Sequence, residues 1–364
     1  MRLAGEVGDR PTLLMLLALG VIGVIAVSSA THDPGGGLIS REGWRQLVYL
    51  VIGLGVYLVA ERIDYHDWAD SAWFLYGAGL IVLAALPLVA RPINGARAWI
   101  DLGVFRIQPS EPMKAVVVLA AATFLAATAG KLSFRRLVTL GALIGIPVLL
   151  IALQPDLGTV LTFVPLFVAL AWLAGIRPRV LVVLALIGAL LLPVMWFGVL
   201  KDYQKERIIT VFDPERDPTG TGYQVIQSRI AVGSGGFAGK GLFRGSQSRL
   251  DFLPARQTDF VLAVIAEETG FVGVLVVFGL YAGLLFRAFR TATVARDRLG
   301  TFIAVGVASL WAGQIFVNAG MVAGILPTIG VPLPLLSYGG SSVIATFLAF
   351  GLVASVRSGR YVNA

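Results

Sequence analysis

The residues best placed for chemistry lie where polar loops meet apolar runs. Asp259 stands in Leu253-Pro254-Ala255-Arg256-Gln257-Thr258-Asp259-Phe260, where a long polar loop enters an apolar stretch long enough to cross a bilayer. An unpaired charge at the edge of hydrocarbon is costly and is usually retained for a function. Its carboxylate could accept a proton as a general base, or it could cap the helix that follows, a role for which Thr258 also competes. Glu111 and Lys114 are three residues apart at the start of another apolar run, so they share a helix face. They form either a self-neutralising ion pair or a charged lining that orients base or substrate. Asp156 follows Pro155 at the start of a further run and reads first as a cap, with contact to substrate or metal as the lesser alternative. Glu267 and Glu268 sit about two turns into the run after Asp259. Helical geometry puts Glu267 nearer the face of Asp259 than Glu268, and pairing of at least one with an arginine is expected.

Membrane helices must position these groups. The chain of 364 residues is 57% hydrophobic and 14% charged, with mean hydropathy +0.83. Its apolar runs recur from Thr12 to the C-terminus, which defines an all-α polytopic integral membrane protein. Windows of about 20 residues predict about ten transmembrane helices. They fall near 12–30, 44–60, 72–90, 112–129, 137–153, 157–174, 180–199, 260–286, 300–325 and 341–356. The first run follows Arg2 and Arg10 and ends on Ser28-Ser29-Ala30. It exceeds the apolar core of about 7–15 residues found in signal peptides, so it reads as an uncleaved span.

Short loops set the orientation. Lys131, Arg135, Arg136, Arg177, Arg179, Arg287, Arg290, Arg296, Arg298, Arg357 and Arg360 all fall on the side of Arg2 and Arg10. That side is therefore cytoplasmic, with both termini in the cytoplasm. Arg91, Arg97 and Arg106, and the cations of 201–258, run against the rule. The longer segment mixes in Asp202, Glu206, Asp213, Glu215, Asp217 and Asp251, and long loops obey the rule poorly. The expectation is one transmembrane domain over 1–364 containing one large extracytoplasmic loop, 201–258. That loop, about 58 residues, exceeds an ordinary connector. Within it Tyr223-Gln224-Val225-Ile226-Gln227-Ser228-Arg229-Ile230 patterns as a short amphipathic helix. The Pro- and Gly-rich stretch 327–340 reads as a re-entrant segment shaping the site, since non-helical backbone at membrane depth must line a cavity or pack in protein.

Composition also excludes. The net charge of +8 comes from Lys and Arg flanking spans, so no nucleic-acid partner is expected. There is no cysteine, and the two histidines, His32 and His66, lie in different loops. No cofactor is required by these residues, and any metal would be a hard divalent cation, Mg²⁺ or Mn²⁺, on oxygen ligands. The glycine-rich stretch 233–241 fails the phosphate-loop pattern because position 234 is Ser and position 241 is Gly. A glycine turn whose amides approach a diphosphate stays open. Trp44, Trp68, Trp73 and Trp99 read as interfacial anchors.

Longer words then carry a resemblance. They are Gly95-Ala96-Arg97-Ala98-Trp99-Ile100, Gln108-Pro109-Ser110-Glu111, Gln154-Pro155-Asp156-Leu157-Gly158-Thr159, Asp202-Tyr203-Gln204-Lys205-Glu206-Arg207, Asp213-Pro214-Glu215-Arg216-Asp217-Pro218, Gly222-Tyr223-Gln224 and Pro332-Leu333-Pro334-Leu335-Leu336-Ser337-Tyr338-Gly339-Gly340-Ser341. In this order they resemble the SEDS family (shape, elongation, division and sporulation) over nearly the whole chain. Pro327-Thr328-Ile329-Gly330-Val331-Pro332 is similar to the cell-elongation branch more than to the division branch. One departure stands before Asp259, where the family usually carries Glu and His and this chain has Ala255 and Gln257.

The resemblance implies a GT-C-like fold and a peptidoglycan glycosyltransferase that polymerises lipid II. It implies partners as well, a class B penicillin-binding protein (the transpeptidase) and other membrane proteins of the elongation complex, in the bacterial inner membrane. It makes Asp259 the general base on the acceptor hydroxyl. Arg97, Glu111, Lys114, Arg207, Gln224, Lys240 and Ser337 become substrate-binding candidates, with Lys205 and Arg244 as further loop cations. Diphosphate is already a good leaving group, so one base suffices and a single displacement inverts the sugar, unlike the carboxylate pair of a glycosidase. What the site needs besides the base is positive charge on the diphosphate where the dielectric is lowered. A lipid II flippase and a non-catalytic scaffold remain as other classes. The crowding of motifs on one face, away from the midplane, favours the enzyme.

Overall fold

The computed structural model describes residues 9–32, 37–90, 97–101, 103, 105–127, 132–198, 200–218, 220–250 and 252–359. Arg2, Arg91, Lys131, Asp251 and Arg360, and the Gly95-Ala96 opening of one motif, lie outside the described residues. Ten long helices coincide with the ten expected runs: α1 Arg10–Ala30, α2 Arg41–Arg62, α4 Ala72–Val89, α5 Ser110–Ala126, α6 Phe134–Ala152, α7 Leu157–Leu173, α8 Pro178–Gly198, α12 Val261–Val294, α13 Arg298–Val322 and α14 Gly340–Gly359. Short α3 (Tyr65–Asp70) links α2 to α4, and α9 (Asp202–Phe212), α10 (Thr221–Gly235) and α11 (Ser246–Arg249) fold the large loop. Two-residue strands β1 (Ile100–Asp101) and β2 (Arg106–Ile107) pair antiparallel ahead of α5.

Among the described residues eight helices are long and apolar enough to span a bilayer, namely α1, α2, α4, α6, α8, α12, α13 and α14. α5 and α7, each of 17 residues, would be about 25 Å long at about 1.5 Å per residue, short of a hydrocarbon core of about 30 Å. Their N-termini meet, since Gln108 Nε2 ahead of α5 donates to Asp156 Oδ2 ahead of α7 at 2.9 Å.

α13 is the central post, packed on α5, α7, α12 and α14, while α14 packs on α2. Lipid tails are as apolar as leucine, so helices associate through close packing at small residues. Gly306 abuts Val118, Gly313 abuts Pro165, Gly53 abuts Phe347 and Gly351 abuts Tyr57. The outer helices α4, α6 and α8 expose large apolar side chains such as Phe74, Leu149 and Leu190, the surface a bilayer would cover. At one end of the bundle Asp9 pairs with Arg287 of α12 and Arg357 of α14. The two ends of the described chain therefore lie at the same end of the bundle.

The large loop is partly folded. α10 contains the amphipathic stretch 223–230 and runs on to Gly235. Asp217 starts it by accepting from Gly220 N at 2.9 Å and Thr221 N at 2.7 Å. These amide bonds overcome burial, which acts the other way, and hold its carboxyl below the usual carboxylate range.

One open reading is narrowed here and one expectation is corrected. The 233–241 stretch offers few free amides for a diphosphate, because it serves as a wedge. α12 breaks at Gly270 (φ 66°, ψ −163°), a conformation open to glycine and strained for L side chains. The carbonyls of Glu267 and Glu268 then accept from Lys240 N at 3.0 Å and Gly241 N at 2.9 Å. In return Phe271 N and Val272 N donate to Gly236 O and Phe237 O at 2.9 and 3.2 Å. Loop backbone thus pairs four peptide groups freed by the break, as buried peptide groups require. The correction concerns the two glutamates, since an arginine partner is expected for at least one. Glu267, wholly buried, pairs with Lys240 at 2.7 Å and accepts from Ser246 N at 2.8 Å and Gln247 N at 3.1 Å. Glu268 accepts from Ser29 Oγ and Gly245 N. Backbone amides and a nearby lysine do the work because the glutamates face the loop wedge.

Candidate active site

The site end is organised by the segment between α13 and α14. Pro327, Pro332 and Pro334 cannot donate to a helix, Gly324 and Gly330 adopt φ 71°, and Leu335 adopts φ 67°. Residues 324–339 are therefore non-helical, as expected for a re-entrant stretch. Its carbonyls must find donors inside protein, and side chains from three helices supply them. Asn318 Nδ2 reaches Val331 O at 2.7 Å. Gln314 Nε2 reaches Pro332 O at 2.8 Å, Tyr281 OH donates to Pro334 O, and Gln46 Nε2 donates to Ser337 O at 3.0 Å. None of these four was singled out from the sequence. The available signal was an amide or phenol within an apolar run, with Gln314 and Asn318 four apart on one face of α13.

Asp259 lies against this segment. The turn before it is closed by Ala255 (φ 51°), whose carbonyl accepts from Thr258 N at 3.1 Å and Asp259 N at 3.0 Å. The N-cap position of α12 is Phe260, and no side chain caps the helix. The capping role weighed for Asp259 and Thr258 is absent, and the Asp259 carboxylate is left for other work. It sits deep within the protein yet stays partly open to solvent. A methyl added at Gly330 would lie 3.4 Å from its Oδ2, so the segment grazes the carboxylate. Burial pushes the Asp259 carboxyl up to about 6. The Thr258 hydroxyl and then Arg207 act to lower it, and Asp156 acts to raise it.

Asp156 does cap α7, accepting from Thr159 N at 3.0 Å and from Thr159 Oγ1 and Gln108 Nε2 through Oδ2 at 2.8 and 2.9 Å. Burial nevertheless pushes its carboxyl up. Gly158, two residues on, is pressed against Ile329 O and Gly330 O. The start of α7 thus touches the same segment as Asp259.

Glu111 and Lys114 form the local ion pair, Nζ to Oε2 at 2.8 Å, with both side chains only 2% exposed. Lys114 Nζ also donates to Gln314 Oε1 at 2.7 Å and stands 5.8 Å from the Trp311 ring centre. Through Gln314 the pair is tied to Pro332 of the segment. Ser337 is buried as well, its Oγ accepting from Leu333 N at 2.7 Å and donating to Thr258 O at 2.5 Å. Arg207 is half-buried on α9, 5.8 Å from the Tyr203 ring, and acts electrostatically on Asp259. Lys240 is spent on Glu267 and Ser246. Arg97 is exposed and donates to Pro87 O at 2.8 Å. Gln224 lies half-buried in the first turns of α10. The structure thus brings Asp259, Arg207, Asp156, Glu111, Lys114 and Ser337 around one segment, and places Lys240 and Arg97 in other contacts. Among the described residues no three His, Asp or Glu side chains gather as a metal-ligand set.

A polytopic helical bundle with a carboxylate at the foot of one helix and a partly folded loop beside it defines the class, and the comparisons identify it. The sequence model of the FtsW/RodA/SpoVE family, described as cell cycle protein, matches residues 10–361. The chain is 40% identical to the peptidoglycan glycosyltransferase MrdB of Escherichia coli K12 over 97% of this chain and 94% of that one. A solved structure described as showing structural coordination of polymerization and crosslinking by a peptidoglycan synthase complex superposes with TM-score 0.83, at 36% identity and 100% coverage of both chains. An aspartate-to-alanine mutant of the Rod shape determining protein RodA of Thermus thermophilus superposes with TM-score 0.73, at 31% identity and 100% coverage of both chains. The chain belongs to the FtsW/RodA/SpoVE family of integral membrane proteins. Its enzymatic class is that of its named relatives, peptidoglycan glycosyltransferase.

Proposed function

We propose that this chain extends glycan strands from lipid II during cell elongation, with Asp259 as the base. The observation that carries the reading is the Asp259 carboxylate, held by its backbone, partly open, and opposed by Arg207. In the step, the acceptor hydroxyl oxygen attacks the anomeric carbon of the donor. Its proton passes to Asp259, and the bond from that carbon to the diphosphate breaks. The electron pair leaves with the diphosphate, and the anomeric centre inverts. Arg207 is the cation best placed to receive the developing charge, with Lys205, Arg244 and Arg97 as further loop cations. A divalent ion, Mg²⁺ or Mn²⁺, would accompany the substrate diphosphate.

The same reading puts the site at the extracytoplasmic face of the bacterial plasma membrane and both termini in the cytoplasm, on the loop charges already described. It also gives the chain a class B penicillin-binding protein as partner, because a close structural neighbour is described as part of a synthase coordinating polymerization and crosslinking. The deciding experiment reconstitutes the purified chain in vesicles with lipid II. Strand extension is expected; transfer of lipid II across the vesicle wall without extension would replace the polymerase with a flippase.

Gly330→Ala should slow that reaction. Its φ of 71° costs an L residue about 1–2 kcal/mol, and relief of that strain would shift the backbone that lies against Asp259 Oδ2. A small displacement of a reacting group is enough for a loss of about tenfold or more in kcat. Initial rates of strand extension check it.

A further inference from the structure

Three successive carbonyls lead into the reacting side chain, and each is held from outside its own turn. Gln257 O accepts from Tyr338 N at 2.8 Å, Thr258 O from Ser337 Oγ at 2.5 Å, and Asp259 O from Asn318 Nδ2 at 2.9 Å. The first two donors belong to the re-entrant segment. The third comes from α13, outside both the turn and the segment, and joins them, because the same Nδ2 donates to Val331 O at 2.7 Å. Val331 follows Gly330, the residue grazing the Asp259 carboxylate.

Asn318 is wholly buried, and its Oδ1 finds no hydrogen-bond partner among the described residues. A buried amide with one end unpaired is a poor choice for stability alone. Its chemistry fits the position, however. A primary amide carries two N–H donors and can serve two carbonyls at once, whereas a hydroxyl carries one and an apolar side chain none. One turn earlier Gln314 repeats the pattern, holding Pro332 O and receiving Lys114.

We infer that Asn318 is a positioning residue for Asp259, its two amide hydrogens locking the Asp259 peptide to Val331 so that the carboxylate is held beside Gly330. Asn318 contacts no substrate; it acts through the backbone of Asp259. The inference rests on the reading of Asp259 as the base.

The test uses full-length Asn318→Leu, Asn318→Ser and Asp259→Asn, and the double variant Asp259→Asn with Asn318→Leu, each purified and assayed for lipid II extension. Asn318→Leu matches the side chain in shape and removes both donors. It is expected to lower kcat about tenfold or more while KM stays within about twofold, the pattern of a misplaced reacting group. The acid limb of its pH profile should move as well, since the displaced carboxylate changes its surroundings. Asn318→Ser keeps one donor and should fall between Leu and the parent. On the Asp259→Asn background Asn318→Leu should cause no further loss. Wild-type kcat with an unmoved acid limb in either folded variant, or a loss confined to KM, overturns the inference. If Asn318→Leu does not fold, Asn318→Ser decides by the same readouts. If Asp259→Asn polymerises normally, the parent reading falls and the inference with it; if Asp259→Asn is inactive and both Asn318 variants behave as wild type, only the inference falls.

Discussion

Asp259→Asn should leave a folded protein that no longer extends lipid II, with turnover down by about 10²–10⁴, the contribution of a positioned base. Asparagine is nearly isosteric and keeps the backbone bonds to Ala255 and Asn318, so the loss would report the proton acceptor itself. The variant should also be more heat-resistant than the parent at neutral pH. Burial raises the Asp259 carboxyl to about 6 in the folded protein, above its value of about 3.9 in an unfolded chain. The folded state therefore binds the proton more tightly, and the ionised form costs stability above pH 6. That cost fades as pH falls from 6 towards 4, and a neutral amide avoids it altogether. A thermal melt beside the extension assay separates the roles, since a residue that merely supported the fold would lose stability along with activity.

Lys114→Met should be the most damaging change to stability. It strips the cation from Glu111, whose side chain is 2% exposed, and deprives Gln314 Oε1 of its donor. Breaking a buried pair from one side costs about 3–5 kcal/mol, because a charge is left uncompensated in a medium that solvates it poorly. Removing both charges together, Glu111→Gln with Lys114→Met, should recover most of that loss, since a neutral pair carries no desolvation penalty. Melting temperatures of the two single variants and the double form a cycle that checks it. Equal losses in Lys114→Met and the double variant would show that packing, rather than the charge, is at stake.

The bundle was legible because membrane spans announce themselves by length. All ten expected runs became helices, including short α5 and α7. Asp259, Asp156 and the Glu111–Lys114 pair were legible for a related reason, since charge at the start of an apolar helix is conspicuous. The interior polar links were less so. A sequence shows that Gln314 and Asn318 share a face of α13, but which carbonyls they reach depends on where the 324–339 segment folds back. The role of the glycines of 233–241 was hidden for the same kind of reason. Their sequence left a turn near an anion open, whereas tertiary structure inserts them into the α12 break at Gly270, where a Cβ on Gly239 would collide with Glu268 O. Glu267 and Glu268 were hidden likewise, because their partners lie in the large loop and, for Glu268, on α1 as well, and no helix periodicity reveals them.

If an ionised Asp259 takes the acceptor proton, the pH dependence of kcat/KM for lipid II extension must carry its titration, because that ratio reports the free enzyme. The carboxyl near 6 predicts an acid limb with its midpoint close to pH 6, falling about tenfold per unit below it and level from about 7 to 8. A rate that stays level from pH 8 down to 5 would contradict the claim.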